Sequence, residues 1–145
     1  MKIFFSLMII TSILLATCNH IVVIKSKYSF ATTYKRAIHI LRSKGYDIYH
    51  IIDFRKDARK IKQRVDPSKL ILFGGPRTHT KLLRKDRNAG IDLPLKLYIY
   101  KRKGKTYVAY HEPLEFKERY YVDHALVGRI QKFMRYLAKK ASGQR

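Results

Sequence analysis

Asp53, Asp92 and Lys96 are residue types that, buried as an Asp–Lys pair, bind a ligand or tune a proton affinity. Asp92 and Lys96 are four apart, which is roughly 13 Å in extended chain, so each needs a different partner. The same carboxylates can instead accept backbone N–H groups and fix turns. Gly74-Gly75-Pro76, followed by Thr78 and Thr80, resembles a turn at a helix start, where N–H groups and the positive end of the helix dipole converge on an anion. It lacks the full phosphate-loop pattern, and a plain tight turn uses the same residues.

Tyr98, Tyr100, Tyr107 and Tyr110 share a predicted hairpin with Lys96, Lys101, Arg102, Lys103 and Lys105. Aromatic rings beside basic groups on a sheet can stack bases and hold phosphates, or simply form the two faces of a strand pair. The candidates are therefore Asp53, Gly74, Pro76, Thr80, Asp92, Lys96 and Tyr110 for a ligand. Lys101, Arg102, Lys103 and Lys105 are the candidates for a polyanion. No complete catalytic site is legible. His79, His111 and His124 are dispersed without metal-site spacing, no nucleophile motif frames a serine, and no cofactor is implied. Cys18 is the single cysteine, which excludes an intramolecular disulfide and leaves the segment after it without thiolate ligands.

These residues need elements to position them. A chain of 145 residues favours one domain large enough to bury a core. Its 46% hydrophobic and 12% aromatic content exclude a disordered chain. Ile21 to Ser26 is β-branched and predicts a strand. Phe30, Tyr34, Ala37, Ile38 and Leu41 fall on one face of a helix over about residues 32–44, closed by Gly45. Residues 47–53 predict a strand with Ile48, His50 and Ile52 on one side. Residues 54–65 predict a short basic helix with Ala58 and Ile61 as its apolar points. Residues 70–73 predict a buried strand, and Thr78 can cap a helix with Leu82 and Leu83 inward. Leu95, Leu97 and Ile99 alternate with Lys96, Tyr98 and Tyr100 in a strand that returns over residues 106–110. A last helix over about residues 121–140 carries the stripe Leu126, Ile130, Phe133, Met134 and Leu137, and residues 142–145 read as a frayed tail. Hairpin-connected strands with helices on one face make a two-layer antiparallel α+β fold, in the order β-α-β-β-β-β-α.

Residues 1–18 read as a signal peptide, a basic start followed by an apolar run of signal length. Leu15-Ala16-Thr17-Cys18 resembles a lipobox, which makes Cys18 a lipidation candidate. An uncleaved anchor is the other reading, because Ile21 to Ile24 extends the apolar stretch and the lysines after it oppose export. Residues 19–27 then form the first strand of the mature chain.

From residue 28 to residue 141 the chain resembles the domain of unknown function 302 family. Gly45-Tyr46 followed by Asp53 is similar to the end of the family's first helix and its strand ending in Asp. Phe73-Gly74-Gly75-Pro76 with Thr80 resembles its Phe-Gly-Asn-Pro turn. Ile91-Asp92-Leu93-Pro94-Leu95-Lys96 is similar to its Asp-Leu-Pro-Leu-Lys signature, and Gly104-Lys105, Tyr110 and Pro113 to the hairpin that follows. Phe54, Gly75 and His79 depart from the family's His, Asn and Gly. The resemblance implies a fold like that of TATA-binding protein, with a curved antiparallel sheet and two main helices, and it implies no activity.

Lys and Arg number 32 against 10 Asp and Glu, a formal net charge of +22. A charge of that size gathers anions. The reading is an exported, basic, non-enzymatic protein of the periplasm or envelope that binds an anionic polymer or a small ligand. Membrane contact would come through a Cys18 lipid or an uncleaved signal, and a homodimer is compatible with the sequence. The alternative is a cytoplasmic, sequence-independent nucleic-acid-binding protein, and a hydrolase or lyase working with Asp53 and Asp92 is a third reading.

Overall fold

A computed structural model describes residues 20–145. The signal sequence and the Cys18 lipidation expected over residues 1–18 lie outside the described residues. β1 (Ile21–Lys25), β2 (Asp47–Asp53), β3 (Ser68–Gly74), β4 (Leu95–Arg102) and β5 (Lys105–His111) form one antiparallel sheet in the order β1-β5-β4-β3-β2. The strand ahead of residue 28 belongs to this sheet, since β1 pairs with β5 from Ile21↔His111 to Lys25↔Tyr107.

Two long helices, α1 (Phe30–Ser43) and α5 (His124–Ser142), pack against each other and against one face of the sheet. Strand alternation sends Ile71, Phe73, Leu95, Leu97, Ile99 and Val108 into that layer, where they meet Ala37, Leu41, Leu126, Ile130, Met134 and Leu137. The chain is thus the two-layer α+β protein that its hydrophobic periods predict. Both helix starts are capped by side chains: Ser29 accepts from the Thr32 N–H, and Asp123 accepts from the Ala125 and Leu126 N–H groups. Those two bonds, Leu126 first, hold the Asp123 carboxyl below its ordinary value.

Several local expectations are corrected. A bulge between Ile48 and His50 shifts the register of β2, so Ile48 and Ile51 share the helix face while His50 and Ile52 take the other. The basic helix α2 (Phe54–Lys60) is shorter than expected, and Ile61 is 71% exposed instead of an apolar contact. In α3 (Pro76–Lys85) the cap is Gly75, not Thr78, with Pro76 in the first turn, where a missing N–H costs nothing. Leu82 is buried but Leu83 is exposed. A 3-10 helix (Arg87–Asp92) and α4 (Glu115–Arg119) were not legible as helices. Phe133 is only partly buried, stacked on Tyr46 with ring centroids 4.2 Å apart. Residues 142–144 are tied down instead of frayed: Ser142 is buried, its carbonyl accepts from the Lys27 N–H, and Gln144 donates to the Lys25 carbonyl.

Candidate functional site

The hairpin joining β4 to β5 turns through Lys103 and Gly104, both with positive φ, 49° and 76°. That pair of angles belongs to the two-residue turn whose twist matches the strands, and Gly104 takes its share without strain. The turn leaves Lys101, Arg102, Lys103 and Lys105 exposed at the tip. Two concavities open at the same end of the sheet. One, of about 330 Å³, has Lys25, Lys27, Lys101 and Lys105 among its walls. The other, of about 850 Å³, is walled by Arg55, Arg59, Lys62 and Arg64, with Asp66 as its one carboxylate. The connection is short, because the Lys101 N–H donates to the Pro67 carbonyl just past that second wall.

Across the sheet face opposite α1 and α5 runs a row of rings. Tyr98 stacks on Tyr100 at 5.0 Å and Tyr100 on Tyr107 at 5.3 Å. Arg102 covers the Tyr107 ring at 5.7 Å, and Phe54 meets Tyr98 edge-on. The ring faces are occupied by one another, so the base-stacking role expected of these tyrosines has no free platform here. What the row offers a partner is ring edges flanked by cations. Tyr110 is not part of it. It points into the helix layer, 5% exposed, and burial first and the Glu112 charge second raise its phenol above the ordinary value.

The remaining ligand candidates separate. Asp53 caps α2, accepting from the Lys56 N–H at 3.0 Å, and pairs with Lys69 at 2.7 Å. The Lys69 hydrogen bond is the first cause of its lowered carboxyl, followed by the Lys56 N–H. A depressed carboxylate stabilises the fold above its unfolded-state value and ceases to do so as pH falls through the folded one. Asp53→Asn is therefore expected to remove part of the acid-side loss of stability, read as a flatter unfolding midpoint below about pH 4, and to change the midpoint's neutral-to-alkaline slope little.

Gly74 lies against the ring of His79, one helical turn ahead, and a Cβ on Gly74 would collide with that imidazole. The turn expected to cradle an anion is thus filled by the chain's own side chain. His79 also stacks on Tyr49, its Nε2 is buried without a hydrogen-bond partner, and burial lowers its proton affinity. Gly74→Ala is expected to cost about 1–3 kcal/mol as overpacking, and His79→Ala in the same chain should return most of it. Urea midpoints of the two single variants and the double variant check this. Thr80 and Pro76 are exposed, and Thr80 faces away along α3, with Leu83 and Arg84.

The Asp92 and Lys96 side chains do not pair with each other, as their spacing requires; only the Asp92 main chain, where the 3-10 helix ends, comes within reach of Lys96 near the start of β4. Lys96 Nζ donates to the Asp92 main-chain carbonyl at 2.9 Å. The Asp92 carboxylate is held by Arg119 at 3.0 Å and by the Tyr120 hydroxyl at 2.8 Å, and the Asp92 bond is the first cause of a raised Tyr120 phenol. Arg119 also clamps Glu115 through Oε2. Asp92, Lys96, Glu112 and Glu115 share a cavity of about 140 Å³ at the sheet end opposite the hairpin tip. Sequence reasoning missed Glu112, Glu115 and Arg119. The Glu115–Arg119 spacing of one helical turn was the available signal, hidden because α4 is so short.

The family described as "Domain of unknown function DUF302" matches residues 22–139. "Fluoride-specific ion channel FluC 1" of Brucella suis biovar 1 (strain 1330) is 27% identical over 101 residues, 69% of this chain and 40% of its own length. "Fluoride-specific ion channel FluC 2" of Brucella melitensis biotype 1 is likewise 27% identical over 101 residues, 69% of this chain and 37% of its own. The chain therefore spans less than half the length of these curated relatives. Among solved structures, an "uncharacterized conserved protein DUF302 from Bacillus stearothermophilus" has a TM-score of 0.73 at 16% identity, over 85% of this chain and 98% of that one. At that identity the likeness is one of fold.

Proposed function

We propose that this chain, which belongs to the DUF302 family, is a non-enzymatic binding protein that holds an anionic polymer by its backbone charges at the hairpin end of the sheet. The observation that carries the reading is the pair of cationic concavities on either side of the hairpin tip, with the closed tyrosine row behind them. Lysine and arginine placed there meet phosphate, sulfate or carboxylate groups as point charges, and the stacked rings leave no platform for reading a base. The signal-like residues 1–18 support an envelope location for this binding. Fluoride conduction is not carried over from the Brucella relatives. Among the described residues no helix is long and apolar enough to cross a membrane, and the match covers less than half of those proteins.

The test is titration of the full chain with heparin, single-stranded DNA of two unrelated sequences, and vesicles of anionic lipid, at low and at physiological salt. Heparin and both DNAs are expected to bind with affinities within about tenfold of one another at low salt, because charge contacts carry no sequence information. A strong preference for one DNA sequence would replace this reading with base recognition, and no binding at low salt would remove it.

A further inference from the structure

All ten Asp and Glu residues lie between Asp47 and Asp123. The two long helices come from the segments on either side, so α1 and α5 carry no acidic residue between them. They run antiparallel: Arg36 donates to the Lys140 carbonyl, and Lys44, just past the other end of α1, lies over the Tyr136 ring at 5.5 Å. Away from the sheet the pair forms a groove of about 390 Å³, lined by Ile40 and Tyr136 together with Lys35, Arg36, His39 and Lys140. Arg36 is fixed there, its guanidinium 4.7 Å from the Tyr28 ring. Among the described residues no carboxylate pairs with any of these cations. Cations gathered without counter-charge repel one another, a cost that an anionic partner relieves.

We infer that the outer face of α1 and α5 docks on an anionic membrane surface, with its lysines on lipid phosphates and Tyr136 at the boundary between headgroups and acyl chains. Two helix axes side by side, about 8–10 Å apart, spread charge over an area, as a headgroup plane does, where a polymer backbone presents a line. The apolar part of the groove makes the same choice. Tyr136 is covered by Lys44 and tilted against Phe133, which leaves no platform for a base. A bilayer interface accepts such a ring edge, and it accepts the stems of lysines whose ammonium groups stay in water. The contact is peripheral, because the apolar stripes of both helices are already buried against the sheet. The signal-like residues 1–18 support a chain that meets a membrane. This face is separate from the hairpin tip, so the polymer reading and this one can fail independently.

The chain has no tryptophan, so Tyr136→Trp makes a unique fluorescent reporter of this face. The full chain carrying it is titrated with vesicles of neutral phosphatidylcholine and with vesicles containing about one third phosphatidylglycerol. Tyr121→Trp, at a position 82% exposed ahead of α5, is the reference. Emission from position 136 is expected to shift to the blue, and to be quenched by brominated acyl chains, on the anionic vesicles only, while emission from position 121 stays unchanged. Lys35→Glu, Lys44→Glu and Lys140→Glu together should weaken binding to the anionic vesicles at least about tenfold with the unfolding midpoint kept, since all three side chains are exposed. Reversing Lys101, Arg102 and Lys103 should weaken it less, because screening separates the tip from this face. Residues 1–18 are the same in every variant, so their own affinity for lipid cancels in the comparison. Emission at position 136 that ignores anionic vesicles, or an equal shift at position 121, would overturn the proposal. An equally large shift on single-stranded DNA would give the face to nucleic acid instead, and a larger loss in the hairpin variant than in the helix variant would move the membrane contact to the tip.

Discussion

Affinity for heparin or single-stranded DNA is expected to fall by at least about 10³ between roughly 50 and 200 mM salt, linearly in logarithms. The size follows from the site. The two concavities and the tip between them bring together Arg55, Arg59, Lys62 and Arg64 on one side, Lys25, Lys27, Lys101 and Lys105 on the other, and Arg102 and Lys103 exposed at the turn, enough for eight or more charge contacts. Each contact adds about 0.7 to the slope on a single strand, and on the order of eight to ten of them produce a loss of that size. Reversing Lys101, Arg102 and Lys103 to Glu should make the slope shallower by about three and weaken binding at every salt concentration. The fold should survive, since these side chains are exposed at the turn and the strands beneath remain paired from Tyr98↔Ala109 to Lys101↔Thr106. Fluorescence anisotropy across a salt series reads the slope, and a thermal melt reads the fold. A flat salt response would place the affinity in a formed pocket, and a triple variant that melts early would make the tip structural.

Periodicity carried most of the fold because the helix layer is apolar in the plain way. Leu95, Leu97 and Ile99 alternate without interruption, and Leu126, Ile130 and Leu137 keep helical spacing, so both elements announce the face they bury. The same logic failed in β2. An inserted residue at Tyr49 exchanges faces for everything on one side of it, and no single residue type marks a bulge. It also failed for Thr78, where a good capping residue is overruled by Gly75 because Pro76 fixes where the helix begins. The basic end was half legible. The hairpin tip is contiguous in sequence, whereas Lys25, Arg55 and Arg64 reach it only through strand order. The carboxylate cavity was least legible. Asp92 and Lys96 stood out by type and spacing, but their partners come from the segment after β5 and from a helix of five residues, Glu115–Arg119, too short to leave a periodic trace.

Leu137→Ala is expected to cost about 2–5 kcal/mol, a large share of the roughly 5–15 kcal/mol that holds a domain together. Leu137 is 0% exposed in the layer where α5 meets α1 and the sheet, among Leu41, Ile99, Val108 and Met134 in one apolar cluster. Truncation there removes the transfer energy of the lost methyl groups and leaves a void that the packed sheet beneath cannot fully close. The control is a leucine of the same kind on the wrong side of its helix. Leu83 is 38% exposed beside the buried Leu82, so Leu83→Ala should change stability by no more than about 0.5 kcal/mol, while Leu82→Ala behaves like Leu137→Ala. Phe133→Ala should fall between them, since its ring is partly exposed and its main contact is the stack on Tyr46. Urea midpoints, with the slope m held constant across the set, rank the four variants. If Leu137→Ala left the midpoint where Leu83→Ala does, the α5 stripe would not be core, and the assignment of the open, tyrosine-bearing face as the one turned to a partner would fall with it, because the two faces are fixed by the same alternation along β4 and β5.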